Sequence, residues 1–279
     1  MKIYSDEVLK NWLIEDGIGE NLYYEEKLPT KMAQATLYIK DDLICSGLPV
    51  FAQVFDVVLN KDNDWKELMK FEGQPMKKGE KIDLPFPLSF KTLLTGERLA
   101  LNLMQRCSAI STYSQKLASK AAEKNIKILD TRKTTPGLRS LEKYAVRVGG
   151  AYNHRMRQND VWMVKDNHKS FFGGVEKAVN YFKSIGSFYT PIIVEIHSLE
   201  ELQQAINLNI NHVMLDNFSP ELIQEAILLK PKNMTYEASG GISLKNIENY
   251  LIEGLDVISS GSLTHSVPSV DVSLKYIPI

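Results

Sequence analysis

Between Asp130 and His168 the chain reads DTRKTTPGLRSLEKYAVRVGGAYNHRMRQNDVWMVKDNH, with eight Lys or Arg and two His against four acids. The whole chain has a net charge of only −1, so cations gathered in one stretch point to an anion site. Three groups stand out. Arg132 and Lys133 follow the apolar run IKILD, Asn153-His154-Arg155 follows Gly149-Gly150, and Lys165 ends the run VWMVK. A guanidinium offers carboxylate or phosphate a planar two-pronged fork, and an ammonium a point charge. Asp130 is placed to orient one of these cations. Taken singly, each group reads equally well as a solvated loop. A lysine at a strand end is also a candidate Schiff-base nucleophile, but the company of Arg132, Lys133 and Arg155 favours an anion ligand.

Two acids, Glu195 and Asp216, end later apolar runs. Paired carboxylates beside a phosphate suit Mg²⁺ held through the substrate's own oxygens, or ribose hydroxyls. The plainer reading is ion pairing with Lys165 or Arg155. Ser239-Gly240-Gly241, ahead of a helix expected to be capped by Ser243, and Gly261-Ser262 follow the last two runs. Glycine loops there can grip a terminal phosphate through backbone N–H groups.

These residues must be presented by a repeating frame. After Asn125, short apolar runs end at Asp130, Lys165, Glu195, Asp216, Glu237 and Ser260, spaced by 35, 30, 21, 21 and 23 residues. Helix-like segments follow most of them. Such βα repetition means a parallel sheet or barrel with its site at the C-terminal strand ends; an open doubly wound sheet would use the same edge. Ser198 with Glu201 forms a capping box, and Ser219 precedes Pro220 at a helix start. Arg139, Lys143 and Arg147 read as a solvated helix face.

The front of the chain lacks this rhythm. Ser5 caps a helix with Val8, Leu9, Trp12 and Leu13 on one face; residues 34 to 46 read as strand or hairpin; a helix follows over 50 to 59. A long helix is expected over 90 to 124, broken near Cys107-Ser108. We read residues 1–107 as an α+β domain, with the tail 269–279 expected to pack on it, and 108–268 as the barrel. At 279 residues with 44% hydrophobic and 24% charged content, the composition is that of an ordinary globular protein. The balanced charge argues against a nucleic-acid or anionic-membrane binder. Cys45 and Cys107 form no metal or disulfide pattern. With no spanning run or apolar leader, a cytoplasmic protein is expected.

Taken together, DTRKTTPGLRSLEKYAV at 130–146, YNHR at 152–155, KDNH at 165–168, LDNF at 215–218, EASGGIS at 237–243, GSLTHS at 261–266 and ERLALN at 97–102 resemble the quinolinate phosphoribosyltransferase family. The resemblance implies an incomplete TIM-like α/β barrel with an N-terminal α+β sandwich-like domain. It implies joining of quinolinate to phosphoribosyl pyrophosphate with Mg²⁺, giving nicotinate mononucleotide, pyrophosphate and CO₂ in NAD biosynthesis. It also implies a homodimer with shared sites, leaving higher assembly open. By the same resemblance Arg132, His154, Arg155 and Lys165 hold quinolinate, and Arg98 comes from the partner. Lys133 lies on the pyrophosphate side, Glu195 and Asp216 near ribose and Mg²⁺, and Ser239, Gly240, Gly241 and Gly261 around the 5′-phosphate. The chain departs from the family pattern at Ala151, Arg157-Gln158, Ile193 and Glu20.

Overall fold

The computed structural model describes residues 2–19, 26–187 and 189–279; Glu20, one of the departures, lies outside them. The chain divides into two compact units. One comprises residues 1–115, 136–149 and 267–279, the other 116–135 and 150–266. Residues 136–149, expected in the barrel, thus lie in the first unit.

In the first unit, helix α1 (Asp6–Glu15) buries Leu9 and Leu13. Strand β1 (Met32–Ile39) alternates buried and half-buried positions, as a strand covered on one face must. It pairs antiparallel with β4 (Lys81–Asp83), β5 (Leu88–Ser89) and β12 (Val272–Pro278). The short strands β2 (Leu43–Ile44) and β3 (Pro75–Met76) pair separately. Helix α2 (Leu48–Leu59) opens on apolar residues, and the Glu72 carboxylate satisfies its first N–H groups, accepting from Gly47 and Leu48 at 2.9 and 2.8 Å. A short helix α3 (Lys66–Met69) follows.

Helix α4 (Phe90–Ala122) runs 33 residues without the expected break near Cys107-Ser108. The polar side chains there are occupied elsewhere. Ser108 Oγ donates to the Ser46 carbonyl at 3.0 Å, and Ser111 Oγ to the Ala145 carbonyl at 2.7 Å. Helix α5 (Arg139–Val148) packs on this face, and a Cβ at Gly149 would come within 2.4 Å of the Ser111 carbonyl oxygen. Gly149 is therefore needed for close approach; of the glycine pair only Gly150 uses a left-handed φ, +82°. Of the cations read as a solvated face of α5, Arg147 is exposed and Arg139 half-buried, but Lys143 is 1% exposed; the fully buried Glu142 pairs with Arg106 at 2.7 Å.

The second unit holds six parallel strands in the order β6-β11-β10-β9-β8-β7. They are β6 (Lys127–Leu129), β7 (Trp162–Val164), β8 (Ile192–Ile196), β9 (His212–Asp216), β10 (Thr235–Ser239) and β11 (Val257–Ser259). From β7 to β11 each strand lies beside its predecessor. A doubly wound sheet would reverse direction at a switch point; this one does not, which settles the alternative in favour of an incomplete barrel. Val194, Val213, Leu215 and Ile258 are fully buried, each worth about 1.5–3 kcal/mol of burial. The covering helices are α6 (Asp166–Phe172), α7 (Val175–Ile185), α8 (Leu199–Asn207), α9 (Pro220–Leu228) and α10 (Ser262–His265). Asn125 and Asn209 supply the left-handed residues, φ +57° and +52°, that turn α4 toward β6 and α8 toward β9. No described helix is long and apolar enough to cross a membrane.

Candidate active site

All the assigned residues except Arg98 lie in the second unit; Arg98 is exposed on α4 in the first. The strand ends place the rest. Register sets Glu195 of β8 beside Met214 of β9, and Asp216 of β9 beside Ser239 of β10. Two acids, a serine and the glycine loop after it thus share one edge of the sheet.

The loops carrying the cations are tied down by hydrogen bonds within and between them. Asp130 is fully buried. Its carboxylate accepts from the His154 backbone N–H at 2.8 Å and from Asn153 Nδ2 at 2.6 Å. His154 Nδ1 accepts the Arg155 N–H at 2.7 Å, while its Nε2 lies 3.5 Å from the buried Glu237. Arg155 Nη1 donates to the carbonyls of Gln158 and Val161 at 3.1 and 2.8 Å. Asp160 closes the same loop by accepting from the N–H groups of Met156 and Arg157. Of the departures at 157 and 158, Gln158 contributes this carbonyl and lines the same cavity as Arg155.

Arg132, Arg155 and Lys165 line one cavity of about 380 Å³, together with Asn167, His168 and Trp162. Burial, and then the neighbouring Arg132, lower the pKa of Arg155 from its ordinary value. Guanidinium groups crowded in this way are relieved by an anion. His168 serves structure here: its Nδ1 accepts the Lys165 N–H at 3.0 Å, capping α6. The Lys165 ammonium forms an ion pair with Glu195, the pairing that the plainer reading of the acids allowed.

The glycine positions have steric causes. Gly240 has φ +103°, and a Cβ there would meet Asn217 Oδ1 at 2.3 Å. Asn217, itself left-handed at φ +57°, donates through Nδ2 to Asp216 Oδ2 at 2.7 Å. At Gly261 a Cβ would meet His265 Nε2 at 2.7 Å and Lys133 Cδ at 3.1 Å. Thr264 Oγ1 donates to the Lys133 carbonyl at 2.7 Å, so the loop after β6 is pinned to the segment after β11.

Two sequence expectations need correction. No α-helix follows Ser243: its N–H donates to Asn246 Oδ1 at 2.8 Å and the chain makes only a 3₁₀ turn, Ile247–Tyr250. The helix after Gly261 has four residues, so neither glycine loop is backed by a long helix dipole. The capping box at Ser198 is half formed. Ser198 Oγ accepts the Glu201 N–H at 3.2 Å, but the Glu201 carboxylate accepts from the His197 N–H at 2.8 Å, one residue early. Ser219 caps α9 as expected, accepting from Leu222 N–H at 3.2 Å. Sequence reasoning passed over Asn217, Lys169 and His197. An asparagine in the turn after a strand-end acid, and an imidazole two residues after one, were the available signals.

Known proteins show the same organisation. The family models for the N-terminal and C-terminal domains of quinolinate phosphoribosyl transferase match residues 20–108 and 110–275. A nicotinate-nucleotide pyrophosphorylase (carboxylating) from Homo sapiens is 38% identical over 273 residues, covering 96% of this chain and 90% of its own. The crystal structure of NadC from Streptococcus pyogenes superimposes with a TM-score of 0.89 at 36% identity, covering 98% of this chain and 96% of its own. The nicotinate-nucleotide pyrophosphorylase of Francisella tularensis gives 0.87 at 30% identity, with 99% of each chain covered. Along both of its matched regions, this chain belongs to the quinolinate phosphoribosyltransferase family.

Proposed function

We propose that this chain is a quinolinate phosphoribosyltransferase, converting quinolinate and phosphoribosyl pyrophosphate to nicotinate mononucleotide, pyrophosphate and CO₂ in NAD biosynthesis. The observation that carries this reading is the convergence of Arg132, Arg155 and Lys165 on one cavity, with Glu195 ion-paired to Lys165 at its edge. A pyridine dicarboxylate is a dianion, and three fixed cations can neutralise and orient it.

In this reading the quinolinate nitrogen attacks the anomeric carbon of the donor as the C–O bond to pyrophosphate breaks, its electron pair leaving with pyrophosphate. Positive charge grows on the ribose, and the carboxylates of Glu195 and Asp216 stabilise it electrostatically. The adjacent carboxylate then leaves as CO₂; the pyridinium nitrogen draws on the electron pair left on the ring carbon, which takes up a proton. Arg132, His154, Arg155 and Lys165 contribute by positioning the dianion. Lys133, over Gly261, serves the pyrophosphate side. Ser239, Gly240, Gly241 and Gly261 cradle the 5′-phosphate through backbone N–H groups rather than long helix dipoles.

The oxygen donors of Glu195 and Asp216 suit Mg²⁺. Lys165 already engages Glu195, which fits a metal held chiefly through the donor's phosphates. Bound there, Mg²⁺ would neutralise the departing pyrophosphate. The working unit in this proposal is a homodimer, with Arg98 of one copy completing the other's site; its exposure on α4 is the support. A cytoplasmic setting fits Cys45 and Cys107, both free and buried, where burial pushes the Cys45 thiol up to about 12. Incubation with quinolinate, phosphoribosyl pyrophosphate and Mg²⁺ should yield nicotinate mononucleotide and CO₂. Folded protein that forms no product refutes the reading.

A further inference from the structure

Glu195 and Asp216 end neighbouring strands, and like charges brought close repel. Two residues outside the family motifs stand between them and the covering helices. The imidazole of His197, just after β8, has Nε2 3.4 Å from Asp216 Oδ2 and 3.8 Å from Glu195 Oε1. Its Nδ1 lies 3.0 Å from Lys169 Nζ and 3.0 Å from Asp166 Oδ1. Lys169, on α6, is 6% exposed. Its ammonium contacts both Glu201 oxygens at 2.9 and 2.7 Å and the Glu195 carbonyl at 3.0 Å, with Asp166 at 3.2 Å. Lys169 therefore ties α6, the end of β8 and the first turn of α8 into one knot.

The knot gives the imidazole a direction. An ammonium can only donate, so where Lys169 donates to Nδ1 a neutral His197 carries its proton on Nε2. A charged His197 gives its Nδ1 proton to Asp166 and again keeps one on Nε2. In these two forms an N–H is presented to the carboxylate pair. The 3.4 Å separation is longer than a formed N–H···O bond, a slack that active-site hydrogen bonds take up when the substrate complex forms.

We propose that His197, held by Lys169, is a positioning residue that sets Asp216 and Glu195 for the phosphoribosyl donor without touching quinolinate. The inference rests on the proposed function and specifies how its donor half is kept in place.

Steady-state kinetics with each substrate varied in turn test it. His197→Ala should raise KM for phosphoribosyl pyrophosphate about tenfold or more, while KM for quinolinate stays within about twofold, the scale of loss seen when a supporting partner is removed. His197→Gln sets an amide nitrogen near the Nε2 position and should restore most of the donor KM. His197→Asn reaches only the Nδ1 position and should not. Should His197→Ala fail to fold, the contrast between Gln and Asn carries the same test. Equal losses on both substrates, an unchanged donor KM, or Gln no better than Asn would overturn the proposal. Wild-type protein that makes no product overturns the proposed function, and this inference with it; active wild-type protein with an indifferent His197 overturns the inference alone.

Discussion

The cationic and acidic halves of the site are built by different means. Arg132, His154 and Arg155 ride on loops, and hydrogen bonds within and between those loops stiffen them. Asp130 and Asp160 each accept two N–H donors, and the Arg155 guanidinium is tied to two carbonyls. Glu195 and Asp216 ride on strands whose register fixes them before any side chain acts. Their carboxylates are then arranged by residues from other elements: Lys165 on Glu195, Asn217 on Asp216, and His197 facing both. The loop-borne half depends on ties that Asp130 and Asp160 make to its turns, whereas the strand-borne half depends on the sheet register and on side chains from the end of β7 and the other strand-end turns.

The comparison can be broken from either side. Glu195→Gln removes charge that should matter most when the ribose becomes cationic, and it leaves Lys165 unpaired. We expect kcat to fall about 100- to 1000-fold; a change confined to KM for quinolinate would contradict the division of roles. Arg155→Lys keeps one charge but cannot hold two carbonyls and an anion in one plane. KM for quinolinate should rise about 10- to 100-fold, the loss of a charge-assisted hydrogen bond, with the donor KM unchanged. An equal rise in both would show that the loop's stiffness serves the whole site.

Two smaller effects sharpen the contrast. Gly240→Ala must adopt φ +103° and meet Asn217 Oδ1 at 2.3 Å, a strain of about 1–3 kcal/mol. The melting temperature should drop and donor binding weaken; an unchanged donor KM would remove Gly240 from the phosphate cradle. Ser198→Ala deletes the α8 cap beside the acidic half at about 1 kcal/mol. Thermal unfolding should register this small loss while both KM values hold. A selective loss of donor affinity would show instead that the cap also steers His197.

Much of this was legible because the signals are local. The six apolar runs became the six parallel strands, with Asp130, Lys165 and Ser260 just past strand ends and Asp216 at one, while β10 runs on past Glu237 to Ser239. Ser219 and Pro220 began a helix as their types require. The failures came where partners are distant. Cys107-Ser108 looked like a helix break, but bonds from Ser108 and Ser111 to Ser46 and Ala145 absorb the hydroxyls there and α4 continues. Lys143 looked solvated, yet α5 is packed so that this lysine is buried.

The sequence by itself determined the family: a run of cations, strand-end acids and glycine turns in the order of one enzyme family. Side-chain type and short-range spacing suffice for that, because backbone propensities and capping act within a few residues. Only the tertiary structure decided between open sheet and incomplete barrel, through strand order. It also paired Lys165 with Glu195 and brought Lys169 and His197 to the acids. The Lys165–Glu195 and Lys169–His197 contacts join residues 30 and 28 apart in the chain, and no local pattern encodes which side chains will meet when six strands fold onto one edge.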